Sequence, residues 1–225
     1  MDRGEAQGFE WDGVTRAETL CDAEVRVRRE IDECARRHDW PRVLELLAEN
    51  RSRVNAVSPD DPSWMTPLHH AARDGAEVEV VHALIDLGAF RTQTDSQGNR
   101  AVDTARARSR SRLVQILEPV YERQVPDAVL KAIERNFHEL INKRAGSWVE
   151  EHQLRLPELA PLLEFKQCSF WFVIPGMSGR FGYWLVEDGV KAKLMTESFS
   201  RLAQGSGQMH EITAEATRLL EDGFV

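Results

Sequence analysis

Two kinds of hydrophobic pattern divide the chain, one with helical spacing and one with the alternation of strands. From Asp22 to about residue 122, apolar residues recur three or four positions apart, with charged residues between them. That spacing places the apolar side chains on one face of each helix. After Cys168, apolar and polar residues alternate, which is typical of half-buried strands. The pattern therefore predicts a helical half followed by a half that contains a β-sheet.

The helical half contains a repeated unit of two short helices. Ala35 is followed by apolar residues at offsets of 8, 9 and 12, and Ala72, which lies 37 residues further on, is followed by apolar residues at the same offsets. A third copy starts at a turn over residues 95–98 and continues through Ala101 and Ala105. Because one such unit cannot cover its own apolar face, the period predicts a solenoid in which neighbouring units stack.

The central unit carries the most regular motif of the chain. Thr66 is a typical helix cap, and Pro67 is favourable in the first turn that follows it. Residues 66–89 resemble an ankyrin repeat, because the run Thr66-Pro67-Leu68-His69, the pair Ala71-Ala72, Gly75 and Gly88 fall on the family pattern. The resemblance implies a structural role for His69, whose ring would hydrogen-bond turn backbone between neighbouring repeats. The flanking copies are degenerate, as terminal units of a solenoid often are.

The second half predicts one long helix and several strands. The helix runs from Pro126 to near Gly146, and the strands cover residues 168–174, 181–185, 192–200 and 209–213. A further helix is expected to begin at Thr213. This half also resembles a C-terminal segment of uncharacterised bacterial proteins, to which no activity is attached. The resemblance rests on Pro175-Gly176-Met177, Gly182-Tyr183, Thr196-Glu197-Ser198, Gly205-Ser206-Gly207-Gln208, His210-Glu211 and Gly223-Phe224-Val225.

The predicted fold class is α+β. An ankyrin-like helical solenoid of about three repeats is followed by a small domain with a helix and a four-stranded antiparallel sheet. The expected domains are a polar N-terminal tail at 1–21, the ankyrin-like repeats at 22–122 and the α+β domain at 123–225. Phe9 and Trp11 are isolated aromatic residues in this tail, which is either mobile or docked through them on the body of the protein.

Composition narrows the class of protein. The 225 residues are 42% hydrophobic and 29% charged, and no apolar run approaches the roughly 18 residues of a membrane span. The N-terminus is acidic and lacks the apolar core of a signal peptide. Three widely spaced cysteines, Cys21, Cys34 and Cys168, favour a reducing cytoplasm. The first 130 residues contain many arginines but no lysine, a bias that is associated with GC-rich bacterial genomes.

The function expected from this pattern is non-enzymatic binding of another protein on the ankyrin-like surface, either alone or together with the C-terminal sheet domain. The net charge of −8 disfavours nucleic acid and anionic lipid as partners, and we expect no cofactor and no metal. The oligomeric state stays open. Two alternatives remain. One is an immunity or antitoxin protein that neutralises a bacterial toxin by binding it, and the other is an enzyme in the C-terminal domain that uses His210, Glu211, Glu197 and Arg180.

Candidate contact residues follow from the repeat pattern. They lie at the loop tips and on the exposed side of the first helices: Asp61, Trp64, His70, Arg73, Asp74, Gln97 and Asn99. Trp64 is the strongest candidate anchor because aromatic residues dominate binding energy at interfaces, although it is as well explained by packing under its own loop. The basic run Arg106, Arg108, Arg110 and Arg112 is interpreted either as a solvated face or as a contact for an anionic partner.

Overall fold

The computed structural model describes residues 7–176, 179–200 and 207–224. The chain divides into two compact units. Val14–Val120 form one unit, and the described residues before Val14 join those after Val120 in the other. The domain boundaries expected at residues 21 and 122 stay a prediction.

Seven α-helices and six strands occur in the described residues. The helices are α1 (Asp22–Arg36), α2 (Trp40–Glu49), α3 (Pro67–Asp74), α4 (Val78–Asp86), α5 (Ala101–Ala107), α6 (Ser111–Leu117) and α7 (Asp127–Glu151). The strands are β1 (Gln7–Trp11), β2 (Cys168–Ile174), β3 (Gly179–Leu185), β4 (Leu194–Ser200), β5 (Gly207–Ile212) and β6 (Thr217–Phe224). Among the helices described here, none combines the length and the apolar character needed to span a membrane.

The helical unit consists of three pairs of consecutive helices, α1 with α2, α3 with α4 and α5 with α6. The first helices, α1, α3 and α5, contact one another in that order, and the second helices, α2, α4 and α6, do the same. Ala35 on α1, Ala71 and Ala72 on α3 and Ala105 on α5 are completely buried, which lets neighbouring helices approach closely. The shared core contains residues from all three pairs: Ile31, Ala35, Val43, Leu47, Leu68, Ala71, Ala72, Val81, Leu84, Ala101, Val102, Ala105, Leu113 and Leu117.

Helix α3 begins and ends as its sequence predicts. The backbone N–H of Thr66 donates to Nδ1 of His69 over 3.3 Å, and the Thr66 hydroxyl lies 2.8 Å from the same nitrogen. The helix ends at Gly75, whose φ of 75° is left-handed and strongly favours glycine. Because Nδ1 accepts at this cap, the ring proton lies on Nε2, which donates to the carbonyl of Asn99 over 3.2 Å. The structural role implied for His69 is confirmed.

The second unit is built on a single six-stranded mixed sheet with the strand order β1-β2-β3-β4-β5-β6. Strands β2 to β6 form an antiparallel meander, whereas β1 pairs with β2 in parallel, with Phe9 opposite Phe170. The face that carries Phe170 and Phe181 is buried and packs against α7, where the ring of Phe137 lies 6.4 Å from that of Phe181. The core of this unit is therefore a helix laid across one sheet face.

The prediction of a four-stranded antiparallel sheet is wrong, because the sheet has one additional strand at each edge. At one edge, residues expected in a polar tail form β1, since Phe9 and Trp11 alternate with polar neighbours and place both rings on the buried face. Phe9 lies 4.4 Å from the ring of Phe165, and Trp11 is only 2% exposed.

At the other edge, the helix expected from Thr213 is strand β6. The Thr213 hydroxyl accepts hydrogen bonds from the backbone N–H groups of Glu215 and Ala216, over 3.2 and 3.1 Å. This local turn competes with helix formation and returns the chain beside β5. The predicted turn at Gly205-Ser206 and the motif residues Met177 and Val225 lie outside the described residues.

Candidate protein-binding groove

Two loop tips of the helical unit are fixed by backbone hydrogen bonds. The first tip, residues 58–65, meets the second, residues 94–100, where the N–H of Ser96 donates to the carbonyl of Ser63 over 3.0 Å. In the second tip, one carboxylate oxygen of Asp95 accepts from the N–H groups of Gln97 and Asn99, both over 2.8 Å. The tips are therefore held in shape before any partner arrives.

A groove with a volume of about 490 Å³ lies between these tips and the first helices. Its walls include Met65 from the first tip and Gln97 and Asn99 from the second tip. Thr104 from the middle of α5 and Arg108, just after the last residue of α5, complete this set. All of these residues belong to the helical unit. The groove brings together three of the predicted contact residues, namely Arg73, Gln97 and Asn99.

Arg73 enters the groove with its charge already balanced. Its guanidinium makes two parallel hydrogen bonds to the carboxylate of Asp74, over 2.9 and 2.8 Å, and a third N–H group points at the sulfur of Met65, 3.6 Å away. Burial alone would raise the pKa of Asp74, but the hydrogen bond and charge of Arg73 hold this pKa below its usual value. The pair is thus an ion pair near neutral pH.

The predicted contact residue Asp61 serves the tip itself. Its carboxylate accepts from the N–H of Ser63 over 2.7 Å and forms an ion pair with Arg36. These bonds leave the Asp61 side chain 21% exposed.

Trp64 does not line the groove. It lies between Ser63 and Met65, which do, and its backbone φ of 52° is unusual for a bulky residue. Its side chain is half-buried. Its role as an anchor stays a prediction.

His70 is not on the exposed side of the repeats, so this expectation is wrong. It is 1% exposed, and its Nε2 lies 2.9 Å from a carboxylate oxygen of Asp32 on α1. Adjacent histidines on a helix point in different directions, and here both point into the stack, towards different neighbours. Burial alone would raise the pKa of Asp32, but His70 and Arg36 hold this pKa below its ordinary value. His70 therefore links α3 to α1.

The four residues of the enzyme alternative lie on two opposite faces of the sheet. His210 pairs with Thr196, which pairs with Tyr183, and this row faces α7. Glu197 lies against Gly182 on the other face.

Arg180 lies over the ring of Trp171, at 5.9 Å, and Glu211 reaches Lys193 over 3.3 Å, so both point away from His210. Burial, together with Arg144 and Lys143, lowers the pKa of His210. These side chains do not converge on one point. In the described ranges, no group of three or more His, Cys, Asp or Glu residues could hold a metal ion.

Comparison with known proteins supports the repeat character. No family model matches the chain. A segment of 113 residues, 48% of the chain, is 35% identical to Ankyrin repeat and SOCS box protein 11 from Homo sapiens and to the protein of the same name from Pongo abelii. The match covers 31% of either relative, so the chain spans about a third of their length. The similarity supports ankyrin-repeat character for this segment of the chain.

Sequence reasoning missed two residues that shape this region. Asp32, the partner of His70, gave no signal because its position in α1 fits a solvated helix face. Arg108 was noted only within a basic run, although it alone of that run lines the groove. The repeat period aligns Arg108, at the end of α5, with the end of α3 in the preceding repeat. Its position beside the groove could therefore have been predicted from the period.

Proposed function

We propose that the protein acts by binding a segment of another protein in the groove between the two loop tips and the ends of α3 and α5. The observation that carries this proposal is the groove itself, about 490 Å³ in volume and open along residues of two neighbouring repeats. Ligand pockets in proteins typically have volumes of about 300–1,000 Å³, so the groove is within the range of binding sites.

The groove is preorganised, which favours binding. Asp95 fixes one tip through two backbone N–H groups, His69 ties that tip to the cap of α3, and Ser96 joins it to the first tip. A partner therefore loses little free energy in ordering the groove, and more of the contact energy remains as affinity.

Binding without catalysis is supported by the positions of the titratable residues in the sheet unit. His210 faces α7, whereas Glu197 and Arg180 lie on the opposite sheet face, so they do not surround a common substrate position. No contact among the described residues favours an immunity protein over another interaction partner. We also propose that the protein is cytoplasmic, because an odd number of widely spaced cysteines suits a reducing compartment.

The proposal is tested by selecting a displayed library of random dodecapeptides on the immobilised full-length protein. Individual peptides are then measured against Thr104→Trp, which fills the groove wall with a large side chain. We expect this substitution to weaken binding at least about tenfold, because the ring occupies the volume that the peptide needs.

The matched control is Gln115→Trp, which adds the same ring at an exposed position of α6 outside the groove. It should leave peptide affinity unchanged, and both variants should keep the melting temperature of the parent. Peptides that bind Thr104→Trp as well as the parent would show that the groove is not the binding site.

A further inference from the structure

Four arginines follow one another at alternate positions around the turn between α5 and α6, and they differ in how their charge is balanced. Arg106 forms ion pairs with Asp103, over 3.2 Å, and with Glu118. Within the described residues, the side chains of Arg108, Arg110 and Arg112 form no ion pair or hydrogen bond. All three side chains are exposed, and together they are called the arginine rim below.

The rim is continuous with the groove. Arg108 lines it directly. Arg110 lies across the end of α3, where its guanidinium and the atoms next to it would be 2.8 to 3.0 Å from a side chain added at Gly75. Arg112 lies in the first turn of α6. The positive charge therefore extends from the groove wall over the neighbouring helix turn.

The other charges in the groove are already matched. Asp95 is satisfied by backbone N–H groups, Asp103 by Arg100 and Arg106, and Arg73 by Asp74. Arg108 is the one groove-lining charge that finds no counterpart in the described residues. A partner that enters the groove without a negative group would leave this guanidinium next to its surface uncompensated, which costs free energy.

We propose that the segment bound in the groove is acidic, with a carboxylate-bearing part that lies against the arginine rim. This inference rests on the proposed function of the groove and names the chemistry of its partner. Guanidinium groups form bidentate hydrogen bonds with carboxylates, and a rim of three exposed charges also steers an acidic segment towards the groove.

An acidic protein segment fits this surface better than a nucleic acid does. The groove wall also carries the carboxylates of Asp95 and Asp103, and Asp61 belongs to the adjoining tip, so an unbroken phosphate backbone would meet negative charge beside the rim. A protein segment can place carboxylates at the rim and neutral side chains at the tips.

The test uses the random dodecapeptide library on the full-length parent and on the double variant Arg108→Glu/Arg112→Glu. Peptides selected on the parent should be enriched in Asp and Glu relative to the input library. Their affinity should fall at least about tenfold on the double variant, because two attractions become repulsions. Affinity for the parent should also fall as salt is raised from about 0.05 to 0.5 M.

Two further double variants serve as controls. Arg26→Glu/Arg51→Glu changes the net charge by the same amount at exposed positions on α1 and just after α2, and it should bind the peptides as the parent does. Arg108→Lys/Arg112→Lys keeps the charge and should retain most of the affinity, which separates electrostatic attraction from a change in fold.

The outcomes separate this inference from the proposed function. Peptides that lose affinity with Thr104→Trp but show no enrichment in acidic residues would overturn the inference and leave the groove as the binding site. If acidic peptides bind Thr104→Trp with the same affinity as the parent, the groove is not the binding site and the proposed function is wrong. Tight binding of single-stranded oligouridylate that weakens on Arg108→Glu/Arg112→Glu, without selection of acidic peptides, would assign the rim to nucleic acid and overturn the inference.

Discussion

The helical unit and the sheet unit differ in the distance along the chain between residues that contact each other. In the helical unit each first helix contacts the first helix of the next pair, so every major interface joins neighbours in sequence. In the sheet unit β1 starts at Gln7 and pairs in parallel with β2, which starts at Cys168. The first unit can form from one end to the other, whereas the second requires the two ends of the chain to meet.

The two units are therefore expected to lose stability in different ways when a contact is removed. A stack of repeats loses stability locally when one interface is damaged, because each pair contacts only its neighbours. The sheet unit depends on a strand that belongs to no local motif, and loss of that strand exposes the edge of β2 and the aromatic residues beneath it.

The largest effect is expected for Trp11→Ala. Trp11 is 2% exposed, donates its indole N–H to the carbonyl of Arg155 over 3.1 Å and packs under the guanidinium of that residue. We expect a loss of about 3–5 kcal/mol in the free energy of unfolding, because a large buried side chain is removed. Denaturant unfolding measures the loss, and hydrogen exchange followed by mass spectrometry shows whether it falls in β2 to β6.

Trp184→Ala is the matched control for this prediction, because its ring lies half-buried on the opposite sheet face. Its loss should be less than half of that for Trp11→Ala. If amide protection in the sheet is the same in Trp11→Ala as in the parent, β1 is not an integral strand and the contrast between the units fails.

The next effect is expected for His69→Ala, which removes the link between two repeats. The ring accepts at the cap of α3 and donates to the carbonyl of Asn99. Breaking these buried hydrogen bonds should cost about 1–3 kcal/mol. Faster hydrogen exchange should be confined to α3, α5 and the tip at residues 94–100, and the sheet unit should be unchanged.

His82→Ala is the control for this variant, because His82 is exposed on α4. We expect a change within about 0.5 kcal/mol. Equal loss of protection in the helical unit and the sheet unit of His69→Ala would show that the two unfold together, against the local behaviour proposed for the repeats.

A smaller effect is expected for Gly75→Ala at the end of α3. The left-handed φ of 75° costs a residue with a side chain about 1 kcal/mol. The added methyl group would also meet the side chain of Arg110, which must move. Thermal unfolding should therefore show a modest loss, and peptides that depend on the arginine rim should bind differently.

Gly98→Ala separates the two contributions. Gly98 has a similar φ of 80°, but a methyl group there meets nothing within 4 Å. Its stability loss should equal the backbone cost alone, and the excess loss in Gly75→Ala measures the displacement of Arg110. Identical losses would mean that Arg110 does not lie against the end of α3.

The smallest effects concern pH, and they have opposite signs in the two units. In the helical unit the pKa of Asp32 is lowered below 3.8, so its stabilisation is complete above that value and is lost as the pH falls through the folded pKa. In the sheet unit burial raises the pKa of Glu134 above 4.5. Its contribution is most favourable when it is protonated and weakens as the pH rises through the folded pKa.

Asp32→Asn and Glu134→Gln test these signs through the free energy of unfolding measured between about pH 3 and pH 7. Asp32→Asn should flatten the loss of stability on the acid side. Glu134→Gln keeps an acceptor for the N–H of Leu159, which now donates to the carboxylate over 2.7 Å, and should gain stability towards neutral pH. Shifts of the same sign for both variants would contradict the environments assigned to these carboxyl groups.

Much of the helical unit could be predicted because its determinants lie close together in sequence. Thr66, Pro67 and Gly75 mark the start and end of α3 within ten residues, and the apolar residues recur with the helix period. The alternation that predicts β2 to β5 is equally local. Gln97 and Asn99 could be predicted as contact residues from the same repeat, because the loop tip occurs at the same place in each repeat unit.

The remaining errors arose where the partner of a residue lies far away in the chain. β1 has the alternation of a strand, but five residues between polar segments give no sign of a neighbour at residue 168. Leu219 and Leu220 are compatible with a helix or with an edge strand. They form a strand because this segment pairs with β5 in an antiparallel hairpin. His70 was expected on the exposed side because its partner, the carboxylate of Asp32, lies on another helix and is not evident from the neighbouring sequence.

The helix pairs, their period and the turn chemistry at Thr66 and Gly75 can be derived from the amino-acid order alone, because caps, turns and apolar spacing act within a few residues. The composition of the sheet, the burial of His70 and the placement of Arg108 on the groove wall become apparent only in the folded protein. These depend on which distant surfaces meet, and a side chain becomes buried, paired or available only after they do.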